Sequence, residues 1–235
     1  MVAANIGRKA EIAATRQIGR VLLRLGFSLG ALHLVWAFPK LAFAGEPTAT
    51  VLVYNHANVA RSILVAAERE AGRILGGAGV RIIWLECPVA PTTARAEGPC
   101  LRALKSTDIM LRVLPRPARH RLKADVFGSA ISPILASVYY DHALRLAVED
   151  EDLEFDARII LGCVIAHELG HLFLGSNSHS SAGIMRSPWG QKQLQQALTG
   201  TLLFTAEQAK GIEAQVRARA RPLGNGRFRA SRPDS

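Results

Sequence analysis

Residues 157–179 read ARIILGCVIAHELGHLFLGSNSH and contain the longest helical pattern in the chain, which decides the fold. Asp156, directly before this stretch, is a suitable N-cap, and Gly175 is placed to end the helix after Leu174. Most side chains between these two residues are apolar, which is typical of a helix buried in a protein core. We therefore predict a core helix over 157–174.

His167, Glu168 and His171 are polar side chains inside this apolar helix. Residues four apart lie on one helical face, so both imidazoles can reach one cation, while Glu168 projects beside it as a base for metal-activated water. Burying two histidines and a carboxylate is costly unless something pairs with them, and a metal would do so. The sequence therefore predicts a zinc site with Glu168 as the catalytic base. The alternative interpretation is a set of surface or hydrogen-bonded core residues.

A third ligand is needed, because catalytic zinc usually has three protein ligands and keeps the fourth position open. His179 is the only histidine downstream of His171, and a turn at Gly175 can bring the chain back beneath the helix. The predicted metal ligands are therefore His167, His171 and His179. A glutamate on the following helix, Glu207, is the alternative third ligand.

The segment from His167 to His179, together with Met185 six residues further on, resembles the metzincin metallopeptidases. In that family the third histidine follows a glycine turn, and a methionine turn underlies the zinc. The resemblance implies that His179 completes the ligand set and that Met185 is a packing floor, not a ligand. Here the glycine and the third histidine follow His171 by four and eight residues, whereas the family has three and six, so the turn is longer.

The rest of the chain has patterns of strands and two further helices. Period-2 or β-branched patterns occur at 48–54, 80–85, 109–114, 125–131 and 136–140. Helical patterns cover 59–75 and 205–217, the latter with Thr205 as N-cap. The predicted fold class is α+β: a zincin-like or metzincin-like domain with a mixed twisted sheet of about five strands, an active-site helix and a C-terminal helix.

The first 44 residues have the features of a secretory signal peptide. Residues 1–24 carry five Lys/Arg and one acid, 25–38 are uncharged and mostly apolar, and Ala-Phe-Ala at 42–44 is a small-x-small end. We expect cleavage before Gly45, and the apolar stretch is short for a membrane span. An uncleaved N-terminal anchor is the alternative.

The predicted organisation is a signal peptide at 1–44, a catalytic domain at 45–218 and a basic tail at 219–235. Removing 1–44 leaves 23 basic and 18 acidic residues, a modest excess. Nucleic-acid binding favours basic residues interleaved with aromatics on a folded face, and the tail has Phe228 as its only aromatic residue. We therefore expect no nucleic-acid partner.

All three cysteines lie in the part of the chain that would be exported, where disulfides are permitted. Cys87 and Cys100 flank a Pro/Thr/Ala/Gly loop and are predicted to pair. Cys163 lies four residues before His167, where we predict a small buried core residue; a fourth metal ligand is the alternative.

These features predict a secreted (extracellular or periplasmic) zinc metallohydrolase, specifically an endopeptidase. The expected partner is a peptide or protein substrate that lies along an edge strand, 125–131, by strand addition. No stable membrane span is expected after signal removal. Two alternatives remain open: a gluzincin-type peptidase with Glu207 as ligand, and a non-catalytic exported zinc-binding protein.

Overall fold

The computed structural model describes residues 45–89, 98–116, 127–148, 156–175 and 177–221. The predicted signal peptide lies outside these residues, as does the predicted basic tail from residue 222 onward. Ten elements follow one another in these residues: β1 (Thr48–Asn55), α1 (Arg61–Gly77), β2 (Arg81–Cys87), β3 (Asp108–Leu114), β4 (Gly128–Ser132), β5 (Leu135–Tyr139), α2 (Tyr140–Val148), α3 (Ala157–Leu174), α4 (Gln191–Leu198) and α5 (Ala206–Ala220).

The five strands form one mixed sheet in the order β2-β1-β3-β5-β4. Strand β1 is parallel to both β2 and β3, and β3 is parallel to β5. Strand β4 pairs antiparallel with β5 and lies at the edge of the sheet. The predicted α+β class with a mixed sheet of about five strands is confirmed, and each observed strand lies within three residues of its predicted bounds.

One face of the sheet packs against α1 and α3. Alternate strand residues such as Val51, Val53 and Leu111 are fully buried in a single apolar cluster that includes residues of both helices. Helices α1 and α3 are in close contact, since a Cβ added to Gly162 would lie 2.7 Å from the carbonyl oxygen of Ala67. The cluster fixes α3 below the sheet.

Helix α3 begins and ends where the sequence predicts. The Asp156 side chain accepts a hydrogen bond from the Arg158 backbone N–H at 2.9 Å, and Gly175 follows the last turn at φ 98°. Among the described residues, α3 is the one helix long and apolar enough to cross a membrane, but 78% of it is buried inside the domain. It is therefore the core helix of this fold.

The sequence patterns missed helices α2 and α4. Helix α2 begins at Tyr140, directly after β5 ends at Tyr139, so no turn residue separates strand from helix. Helix α4 reads QKQLQQAL, with few apolar residues to produce a periodic signal. Both helices lie against α3, and they form because of that contact more than because of local propensity.

Helix α5 begins at its predicted cap but ends later than predicted. The Thr205 hydroxyl accepts a hydrogen bond from the Gln208 backbone N–H, and the helix continues to Ala220. The tail predicted from residue 219 therefore starts too early. Arg219 donates to the carbonyl oxygen of Leu172 at 2.6 Å and lies 5.3 Å from the Phe173 ring centroid, so it satisfies the C-terminal end of α3.

Candidate metal centre

Helix α3 places His167 and His171 one turn apart on the same side. Their ring centroids are 4.7 Å apart, and their Nε2 atoms are 3.1 Å apart. His167 is buried at 4% exposure. Burial lowers the pKa of His167 to about 3 and also lowers the pKa of His171, so both rings are neutral at neutral pH. Neutral imidazole is the form that binds metals.

The loop after Gly175 returns His179 to the same point. The Nε2 atoms of His179 and His171 are 3.1 Å apart, and the ring centroids of His179 and His167 are 5.4 Å apart. One ligand atom from each of the three histidines lies within 4.8 Å of the others. The longer spacing from His171 to His179 therefore still allows the three rings to converge.

The outward-facing nitrogens of the two helical histidines have partners of their own. His167 Nδ1 lies 2.7 Å from the carbonyl oxygen of Ile184, and His171 Nδ1 lies 2.9 Å from Ser178 Oγ. A carbonyl oxygen only accepts, so Nδ1 of His167 carries the proton and its Nε2 presents a lone pair. Such partners fix the tautomer and the ring orientation of metal-binding histidines.

The three nitrogens fit a small divalent cation. His171 Nε2 faces Nε2 of both His167 and His179 at 3.1 Å, and a single proton could relieve only one of these contacts. Zinc bound tetrahedrally at 2.0–2.1 Å would separate its nitrogen ligands by about 3.3 Å, close to the observed distances. The three imidazoles therefore suit zinc in both donor type and spacing.

Glu168 directly follows His167 in α3 and is not part of the three-histidine group. Its side chain is 4% exposed, and burial raises the pKa of its carboxyl group to about 8. The side chain packs on the backbone of Gly128 in β4, where an added Cβ would lie 2.5 Å from Glu168 Cδ. A buried carboxyl group that directly follows a candidate metal ligand in the same helix is suited to accept and return a proton.

Met185 is fully buried beneath the helix turn that carries the histidines. A Cβ on Gly170 would lie 2.6 Å from the Met185 sulfur, so the glycine allows this close contact. The Ser180 backbone N–H donates to the Met185 carbonyl oxygen at 3.0 Å, which closes the loop after His179. Met185 is thus placed as the packing residue that the sequence predicts.

Four other side chains lie outside the three-histidine group, and two of them, Glu207 and Cys163, are the alternative ligands considered from the sequence. Glu207 is exposed in the first turn of α5 and is not part of the three-histidine group. Cys163 is fully buried in the core, and burial raises the pKa of its thiol to about 12. Arg186 is exposed and donates to the carbonyl oxygen of Ser181. His142 is buried against Tyr139, with ring centroids 5.7 Å apart.

Sequence reasoning missed the residues that support the centre. The sequence alone does not single out Ser178, the Ile184 carbonyl group or Gly128. A glycine within a strand can signal a close approach, so Gly128 had a usable signal. The contacts of Ser178 and Ile184 depend on the path of the loop, for which the sequence has no periodic pattern.

The fold and the site define an α+β domain whose HExxH helix, below a mixed five-stranded sheet, contributes two of three clustered histidines. No protein-family model matches the sequence, and no curated protein matches it. Among solved structures, the chain is similar to archaemetzincin from Methanopyrus kandleri, at 19% identity and a TM-score of 0.45, over 75% of this chain and 99% of that chain. The likeness is weak, so the function of this chain is inferred from its own site.

Proposed function

We propose that this chain is an exported zinc-dependent metallohydrolase that acts as an endopeptidase. One observation carries the proposal: three imidazole nitrogens converge on one point, and the buried Glu168 directly follows the first of these histidines in helix α3. Three nitrogen ligands, an open fourth position and an adjacent unligated carboxylate form the pattern of catalytic zinc in hydrolases. A purely structural zinc site would be closed by a fourth protein ligand.

The metal and the residues of the chain would contribute different parts of the reaction. His167, His171 and His179 would hold a zinc ion, which would supply Lewis acidity and lower the pKa of water to about 7. Glu168 accepts the proton of the attacking water and returns it to the leaving amine. Its burial supports this role, because a carboxyl group shielded from bulk water is held in a fixed position for proton transfer.

A peptide substrate would pair with edge strand β4. This strand lies at the end of the sheet, and its residue Gly128 contacts the Glu168 side chain. An extended peptide added to β4 by main-chain hydrogen bonds would therefore pass close to the base. The edge strand proposed from the sequence at 125–131 corresponds to β4 at Gly128–Ser132.

Export rests on two features of the chain. The signal-like leader at 1–44 predicts it, and the disulfide between Cys87 and Cys100 is of a kind that persists in oxidising compartments. Mass spectrometry of the protein recovered from an expressing cell would test this. A mature chain beginning at Gly45 in the medium or periplasm is expected, and an intact chain retained in the cytoplasm would contradict it.

The substitution Glu168→Gln tests the proposed base. Because Glu168 is not a ligand, the variant should keep one zinc per chain and lose hydrolysis of a peptide library by a factor of 10² or more, the lower range for loss of a general base, about 10²–10⁴. Metal content by elemental analysis and turnover by mass spectrometry give the two readouts. Wild-type turnover in the variant would remove Glu168 from the mechanism.

Two alanine variants test the third ligand. His179→Ala should lose zinc, whereas Glu207→Ala should retain it, because Glu207 lies outside the three-histidine group. The reverse result would favour a glutamate ligand. Bound zinc without turnover of any unfolded protein would instead favour a non-catalytic exported zinc-binding protein.

A further inference from the structure

The Ile184 carbonyl oxygen accepts two buried hydrogen bonds. His167 Nδ1 donates to it at 2.7 Å, and Trp189 Nε1 donates at 3.1 Å. A carbonyl oxygen has two lone pairs, so the two donors do not compete for one position. The indole N–H and the imidazole N–H are thus linked through a single peptide group.

Trp189 also contacts the His167 ring directly. The two ring centroids are 5.8 Å apart at an interplanar angle of 86°, an edge-to-face arrangement. On its other side, Trp189 packs against Phe127, with centroids 5.3 Å apart. With 6% of its surface exposed, Trp189 is held between the histidine and the residue that precedes β4.

Ile184 is held through both of the peptide groups that flank it. The Ile184 backbone N–H donates to the Leu203 carbonyl oxygen at 2.9 Å, while its carbonyl accepts from Trp189 and His167. Trp189 directly precedes Gly190, the N-cap of α4. Helix α4, which the sequence did not predict, therefore fixes the indole relative to the candidate metal centre.

We propose that Trp189 is a positioning residue of the metal centre. Its N–H keeps the Ile184 carbonyl group aimed at His167, and its ring edge limits rotation of that imidazole, so that Nε2 of His167 points at the cation position. The inference rests on the proposed function to the extent that His167 is a zinc ligand. Loss of the indole N–H removes one of the two donors that hold the Ile184 carbonyl oxygen, which loosens the orientation of His167.

Zinc affinity measured by chelator competition tests this role. In one protein Trp189→Phe removes the N–H and shortens the ring, and in a second β-(3-benzothienyl)alanine at position 189 removes only the N–H. Each should weaken zinc binding about tenfold, the lower end of the effect of an outer-shell partner. The visible spectrum of the cobalt-substituted proteins should shift as the ligand field at His167 changes. Trp84→Phe, in β2 at the opposite edge of the sheet from β4, is the matched control and should bind zinc as the wild type does.

Zinc affinity within twofold of wild type and an unchanged cobalt spectrum in the benzothienylalanine protein would overturn the proposal, even if the protein were less stable. An equal loss of affinity in Trp84→Phe would also overturn it, because the effect would then be general. A wild-type chain that binds no zinc contradicts the proposed function itself, and the two failures are distinguished by that first measurement.

Discussion

The backbone of Gly128 lies directly against the side chain of Glu168. A Cβ at position 128 would lie 2.4 Å from the carbonyl oxygen of Ser137 in β5, 2.5 Å from Glu168 Cδ and 2.6 Å from Glu168 Cγ. Because Gly128 opens the edge strand β4, one short segment both borders the proposed peptide site and fixes the position of the proposed base. The absence of a side chain at 128 is therefore a requirement of the site.

Gly128→Ala should push β4 away from the Ser137 carbonyl oxygen of β5, displace the Glu168 carboxylate and leave the three histidines in place. Misplacing a catalytic group by about 1 Å can lower the rate about 10²-fold, so we expect peptide hydrolysis to fall by about that factor. Zinc content should stay at the wild-type value, because Glu168 is not a ligand. Steady-state turnover and elemental analysis on the same preparation check both parts.

Gly76→Ala is the matched control for this substitution. Gly76 lies in α1, and a Cβ added there meets nothing within 4 Å. The control should keep full activity and gain up to about 1 kcal/mol in unfolding free energy from the better helix propensity of alanine. Unchanged activity in Gly128→Ala would show that Glu168 has room to move and that the close contact is not needed.

Ser178→Ala should weaken zinc binding without removing a ligand. Ser178 Oγ is the partner of His171 Nδ1 at 2.9 Å, and without it the imidazole loses the contact that sets its tautomer and orientation. We expect the zinc dissociation constant to rise about tenfold in a chelator competition. Ser181→Ala, an exposed position in the following loop, should leave it unchanged. Equal constants in the two variants would remove Ser178 from the metal centre.

The part of the site that lies within one helix could be predicted from the sequence. His167, Glu168 and His171 are related by helical periodicity alone, and the cap at Asp156 and the end at Gly175 have strong local signals. His179 was placed from a turn at Gly175, and the structure brings its ring to the other two. Local geometry was sufficient for these residues.

The supporting residues could not be predicted in the same way. Trp189 reaches the centre through the Ile184 carbonyl group and depends on helix α4, whose sequence QKQLQQAL has little apolar periodicity. Arg219 was assigned to a solvated tail because arginines cluster there, yet it binds the Leu172 carbonyl oxygen. Both contacts form only once α3 is packed, so no local sequence pattern predicts them.

The disulfide between Cys87 and Cys100 should contribute to stability but not to metal binding. It closes a short loop, with 13 residues of separation, and the loop-entropy estimate gives about 3 kcal/mol. Reduction should lower the unfolding free energy by about this amount in urea titrations. Zinc content should persist, because the three histidines belong to α3 and the loop after it.

Cys163→Ala shows whether an effect of reductant comes from the disulfide or from the remaining free thiol, that of Cys163. Cys163 is free and buried, so reductant should lower the unfolding free energy of the variant by the same amount as that of the wild type. The variant is less stable than the wild type before reduction, because it loses a buried side-chain atom. A wild-type protein whose stability is the same with and without reductant would show that the cross-link does not restrict the unfolded chain.

Glu68 should make the fold less stable at alkaline pH. It lies in α1 with 6% exposure, and its Oε1 atom has no hydrogen-bond partner among the described residues. Burial is the main cause that raises its pKa from the ordinary 4.5 to about 7; the charge of Glu86 adds to the rise, and Arg61 opposes it. The folded state therefore binds this proton more tightly than the unfolded state does.

The sign of the pH dependence follows from that difference. The stability contributed by the protonated carboxyl group is fully present below pH 4.5 and is lost as the pH rises through about 7. Glu68→Gln imitates the protonated form, so it should match the wild type at pH 4.5 and exceed it by about 1–2 kcal/mol at pH 8.5, a value reduced for solvent screening. Urea unfolding of both proteins at the two pH values measures the difference. Glu207→Gln, an exposed position in α5, is the control, and its unfolding free energy should follow that of the wild type at both pH values. If the difference in unfolding free energy between Glu68→Gln and the wild type were the same at both pH values, ionisation of Glu68 would not destabilise the fold.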